Sequence, residues 1–137
     1  MDPVSLTASI VAILQLTATV LSYLNDVKNA STDRRTGAVE ASQVYALLTD
    51  LKYQVEEANS VDPWFCSVRK LGVQNGALDQ FKSALEDLAS KVAPGHGIRK
   101  IGRALVWKFS KEEIGSIIFR IERVKTLVQI ALQKDQL

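Results

Sequence analysis

Cys66 is the only cysteine and His96 the only histidine of the 137-residue chain, so the first chemistry to test is a thiol nucleophile served by an imidazole base. Their spacing does not require that they meet, and a small thiol beside Trp64 and Phe65 fits a buried packing position. One thiol excludes an internal disulfide. A lone cysteine with a lone histidine also argues against a structural zinc site and fits a reducing, intracellular compartment. Gly95-His96-Gly97 punctuates a loop. Glu112 and Glu113 are adjacent carboxylates, but they complement the positive end of a helix and need no acid-base role. There is no Gly-x-Ser-x-Gly elbow, no Walker phosphate loop and no dinucleotide fingerprint behind a strand. The chain therefore reads as a non-enzyme, with no catalytic residue, cofactor or metal ligand.

Charge is more informative. From Leu88 to Lys111 there are six cations, Lys91, Arg99, Lys100, Arg103, Lys108 and Lys111, and no acid, with Trp107 and Phe109 among them. Cations interleaved with interface-seeking aromatics suit an anionic lipid surface, where each basic residue near the headgroups contributes about 1 kcal/mol. A solvated basic face with Trp107 in the core accounts for the same residues. The net charge of +2 argues neither for nor against nucleic acid, which is not expected because neither a helix-turn-helix nor a stacking platform is evident.

The segment between Asp2 and Asp26 holds 23 residues whose only ionisable group is the phenol of Tyr23. As a helix it would be about 34 Å long, enough to cross the hydrocarbon core of a bilayer. Leu6, Ile10, Ile13, Leu14, Val20, Leu21 and Leu24 gather on one face, opposite Ser5, Ser9, Gln15, Thr19 and Ser22. The helix is amphipathic with an uncharged polar face, and hydroxyls cost far less to move into lipid than Lys or Asp. The most buried helix of a soluble bundle would satisfy the same composition. With no basic stretch before it and a long apolar run, the segment reads as retained and not as a cleaved secretory signal.

Helices must position these groups. Asp2 and Pro3 open the first, expected to run to about Leu24. A second follows the cap cluster Ser31-Thr32-Asp33 and continues to about Ala58, burying Val44, Leu47, Leu48, Leu51 and Val55, with Gly37 as a weak point. Asp62-Pro63-Trp64 opens a short helix over 63–70, with loop from Leu71 to Gly76. Leu78, Phe81, Leu85, Leu88 and Val92 mark a helix over 77–92. A shorter segment over 98–107 puts Ile98, Ile101 and Leu105 on one side. Ser110 and Glu113 form a capping box for a last helix over 111–133, with Ile114, Ile117, Ile118, Ile121, Val124 and Val128 inward. No alternating strand pattern is evident. The expected fold is all-α, a four-helix bundle with one or two short accessory helices, in one domain over 1–137.

The runs MDPVSLTASIVAILQLTATVLSYLNDVKNA, DPWFCSVRKLGVQNGALDQFKSALEDLASKVAP and RIERVKTLVQIALQKDQL resemble the HeLo-like N-terminal domain of fungal STAND, or NLR-type, proteins. The likeness spans essentially the whole chain. Trp107-Lys108-Phe109 departs from it, standing where many relatives carry a proline. The resemblance implies a helical bundle placed before a nucleotide-binding oligomerisation domain. It is related to HeLo domains and to the bundle of the necroptosis pseudokinase, which oligomerise and disrupt the plasma membrane through an N-terminal helix. It therefore implies a cell-death execution domain of innate immunity or heterokaryon incompatibility, cytoplasmic at rest and at the plasma membrane when activated. Insertion would fall on Leu6, Ile10, Ile13, Leu14, Leu16, Val20, Leu21 and Leu24. The basic residues from Lys91 to Lys111 would meet anionic lipid. The implied partners are membrane lipid, further copies of the chain in a homo-oligomer, and a nucleotide-binding oligomerisation domain or a separate activating protein. Since no nucleotide-binding motif is present, the chain is expected to be the N-terminal part of a larger protein. The alternative is a non-lytic helical interaction domain, either an adaptor or an autoinhibitory surface.

Overall fold

Three of the helices begin where a side chain satisfies one of their first free amides. In the computed structural model, which describes residues 1–28, 32–92, 105–106 and 109–133 (Val27, Lys28, Lys91, Val92, Leu105 and Val106 through their backbone), Asp2 Oδ1 accepts the Ser5 amide at 2.8 Å. Pro3, which has no amide to satisfy, then opens α1 (Pro3–Asp26). Asp62 does the same for α3 (Pro63–Val68), accepting the Trp64 amide at 2.9 Å. Ser110 and Glu113 exchange both bonds of a capping box, at 2.9 and 3.1 Å, to start α5 (Lys111–Leu132). The other long helices are α2 (Thr32–Glu57) and α4 (Ala77–Val92).

The four long helices form an all-α bundle, with α3 as its short accessory helix. Around the bundle α1 packs on α2 and α4, and α5 completes the ring against the same two. Apolar stripes at three- and four-residue spacing meet inside: Leu6, Ile10 and Leu24 from α1, Val44, Leu48, Leu51 and Val55 from α2, Leu78, Phe81, Leu85 and Leu88 from α4, and Ile114, Ile121, Val124 and Val128 from α5. Phe65 and Val68 of α3 plug the same core. Leu21, Leu47 and Ile118 belong to these stripes but sit at the rim, half-buried.

Two connections differ from the sequence expectation. The helix expected over 63–70 ends at Val68, and the chain tightens into a 3-10 turn over Arg69–Gly72, so Leu71 and Gly72 are helical and not loop. From there the backbone folds tightly into α4. Asn75 adopts a left-handed φ of 63°, and a Cβ on Gly76 would lie 2.9 to 3.1 Å from the carbonyl oxygens of Val73, Lys70 and Leu71. The second difference is at Leu105 and Val106, expected at the end of a helical segment. They form a two-residue strand, paired in parallel with Val27–Lys28. Chain leaving α1 is extended there, and its open backbone groups pair with the chain approaching α5. The rest of 98–107, apart from those two residues, lies outside the described residues.

Candidate functional site

The residues expected to enter lipid are those that face the core. Leu6, Ile10, Ile13, Leu14, Val20 and Leu24 are buried, while Leu16 and Leu21 are half-buried against the same cluster. Thr17 joins them, fully buried, which the sequence reading did not anticipate. Its position continues the spacing of Ile10, Ile13, Leu14, Val20 and Leu24, but a hydroxyl obscured the pattern. The cost of burying it is removed locally, because Thr17 Oγ1 donates to the Ile13 carbonyl at 2.7 Å. Thr19, on the exposed side, donates to the Gln15 carbonyl at 3.1 Å.

The outward face of α1 is the unusual one. Val4, Ser5, Ala8, Val11, Ala12, Gln15, Ala18, Thr19 and Ser22 are all exposed, and none carries a charge. Only a third of its most apolar stretch is buried in the fold, so α1 is not the enclosed central helix that a soluble bundle would need to explain its composition. The exposed faces of the other long helices are studded with charge, among them Arg35, Asp50 and Glu57 on α2, Asp79, Lys82 and Glu86 on α4, and Glu112, Glu122 and Arg123 on α5. Among the described residues α1 is also the single helix long and apolar enough to cross a membrane.

Its two ends are held differently. At the C-terminal end Arg34 Nη1 donates to the Leu24 carbonyl at 3.3 Å, and the strand pairing of Val27–Lys28 follows directly. At the N-terminal end the Asp2 carboxylate caps the helix, and the Ser5 amide holds its pKa below the ordinary carboxylate value. The first turns lie on the 3-10 turn, with Leu6 and Met1 closest to Gly72.

The basic residues are only partly placed. Lys111 is exposed at the first position of α5, and Lys91 falls in the last turn of α4. Arg99, Lys100, Arg103 and Lys108 lie outside the described residues, as do His96 and Trp107. Cys66 was expected to be buried and is half-buried, with Sγ 3.7 Å from the Ser60 carbonyl oxygen. Glu113 is occupied by its capping box, as the helix-end reading of Glu112-Glu113 required. Comparison with protein-family models, with curated proteins and with solved structures finds no match.

Proposed function

We propose that the chain is a membrane-active execution domain, in which α1 leaves the bundle on activation and enters lipid. The observation that carries this reading is the uncharged outward face of α1. A helix half in water normally gains solubility from charged residues on that side, and this one forgoes them from Pro3 to Asn25, with Asp26 as the one charge at its end. The same absence removes the main barrier to lipid, since a charge at the bilayer centre costs about 3 kcal/mol. Part of the remaining polar burden is already met, because Thr17 and Thr19 carry their hydrogen bonds within the helix.

The energetics suit a switch. Leu6, Ile10, Ile13, Leu14, Val20 and Leu24 stay out of water in the bundle and would stay out of water in hydrocarbon. The exchange gives up close packing and gains burial for Val4, Ala8, Val11, Ala12 and Ala18. Linked copies add avidity without new contacts, so clustering into a homo-oligomer would tip the balance toward the membrane. The likeness of the three sequence runs to HeLo-like domains supports the same reading and supplies its setting. The protein would be cytoplasmic at rest and at the plasma membrane once a nucleotide-binding oligomerisation domain, or a separate activating protein, gathers copies. The basic residues between Lys91 and Lys111 would add affinity for anionic lipid. No enzyme activity belongs to this reading, and replacing Cys66 and His96 together should leave killing intact.

The test is leakage from vesicles of neutral and of anionic lipid, with copies clustered by a fused oligomer. Charges at Ile10 or Ile13 would abolish lysis but would also break the core. Gln15→Glu and Thr19→Lys sit on the exposed face and leave the core alone, so they separate insertion from folding. Leakage lost with the helical fold intact supports insertion. Unimpaired leakage from both variants rules it out.

A second reading has its own support. Phe119 and Ile130 are 65% and 60% exposed on the outer side of α5, about three turns apart on one face. Two such residues suit a partner helix, and a non-lytic interaction domain would use them while making no demand on α1. Clustered protein that leaves vesicles intact, with partner binding lost in Phe119→Ser, would favour it.

A further inference from the structure

We propose that the 3-10 turn Arg69–Gly72 is the catch that keeps α1 in the bundle, and that α1 is released from its N-terminal end while its C-terminal end stays hinged. This regulation rests on the membrane-active reading above, although the catch itself is a property of the fold.

The contact is made by the absence of a side chain. A Cβ on Gly72 would lie 2.7 Å from Leu6 Cδ1 and 3.0 Å from Met1 Sδ, so both side chains occupy the space that any residue but glycine would fill. Leu6 has no room to retreat, being wholly buried among core side chains. Met1 is half out in water and can swing away, which leaves Leu6 as the rigid part of the catch. Around this point the first turns of α1 are held by the core packing of Leu6 and Ile10. Val4, Ser5 and Ala8 are exposed, and the Asp2 cap lies within the helix itself and ties it to nothing else.

The opposite end has attachments to other elements. Arg34 of α2 donates to the Leu24 carbonyl, and Val27–Lys28 pair with Leu105–Val106. Opening from the N-terminus therefore breaks the contact of Leu6 with Gly72 first and leaves these two ties for last. A partner or clustering event that displaces the 3-10 turn would free α1 without acting on α1 directly.

Gly72→Ala tests the catch, with amide hydrogen exchange and vesicle leakage measured on the full chain. The alanine methyl should speed exchange in residues 3–12 on the order of ten-fold, with little change in α2 and α5. Leu6→Val has no Cδ1, so adding it to Gly72→Ala should restore slow exchange, and should restore folding if the single variant fails to fold. Unchanged exchange in Gly72→Ala, uniform acceleration across the bundle, or no rescue by Leu6→Val would each overturn the catch. With phosphatidylcholine–phosphatidylserine vesicles, Gly72→Ala should leak at lower protein concentration than the parent. Parent leakage that Gly72→Ala leaves unchanged, despite faster exchange in residues 3–12, would overturn the regulatory role alone. Faster exchange there with no leakage from either protein would leave the catch standing and defeat the membrane reading.

Discussion

The indole N–H of Trp64 donates to the backbone carbonyl of Ala131 at 2.8 Å, joining residues 67 positions apart. Ala131 belongs to the last turn of α5, where the Gln133 amide donates to the Ile130 carbonyl at 3.1 Å and the indole takes the carbonyl next to it. A side chain from α3 therefore closes the end of α5. The short helix thus has two tasks, since Phe65 and Val68 fill the core on its inner side.

Trp64→Phe keeps most of the ring and removes the donor. The expected loss of stability is about 1 kcal/mol, the usual net worth of such a bond. Urea unfolding should show a lower midpoint with an unchanged slope, since the exposed area on unfolding hardly changes. Amide exchange should rise in the last turn of α5 before it rises elsewhere.

Two ion pairs between helices of the described residues are ranked by their burial. Lys125 Nζ lies 2.6 Å from Glu40 Oε1 and 3.0 Å from Gln43 Oε1, with the paired side chains 22% and 14% exposed. Arg120 pairs with Asp87, where the exposures are 32% and 55%. Lys125→Met should therefore cost about 2 kcal/mol, because it strands a poorly solvated carboxylate on α2. Arg120→Met should cost under about 1 kcal/mol and respond to added salt. Chemical denaturation at low and high ionic strength measures both.

The Asp2 cap makes the start of α1 sensitive to acid. The Ser5 amide lowers the folded pKa of Asp2, so its contribution is complete above the ordinary carboxylate range and disappears as pH falls through the lowered value. In an NMR titration the Ser5 amide resonance should move with a midpoint below that of a free aspartate side chain. Asp2→Ala should abolish that transition and fray the first turn at every pH.

Gly37 lies inside α2, and a Cβ there would meet nothing within 4 Å. Gly37→Ala should therefore stabilise the fold by about 0.5–1 kcal/mol, through helix propensity and a less flexible unfolded chain. The melting temperature should rise, with the outer face of α1 unaffected.

Local chemistry made the helices legible. Asp2 with Pro3, Asp62 with Pro63, and Ser110 with Glu113 announce three helix starts, because a cap is satisfied within a few residues of its own amide. The stripes of α2, α4 and α5 were equally readable, since burial repeats with the helical turn. Thr17 escaped because its hydrogen bond to Ile13, which makes burial cheap, depends on a rotamer and not on composition. Leu105 and Val106 escaped because their strand exists only where Val27 and Lys28 arrive beside it.

The sequence by itself determined an all-helical bundle and a first helix with a charge-free stretch between Asp2 and Asp26, because capping, periodicity and the presence of ionisable groups are properties of short stretches of chain. Only the tertiary structure decided that this helix turns an uncharged face to water, that Leu6 rests on Gly72, and that Trp64 closes α5. Each of those depends on which distant residue comes to lie alongside, and that is fixed by packing four helices together and not by any one of them.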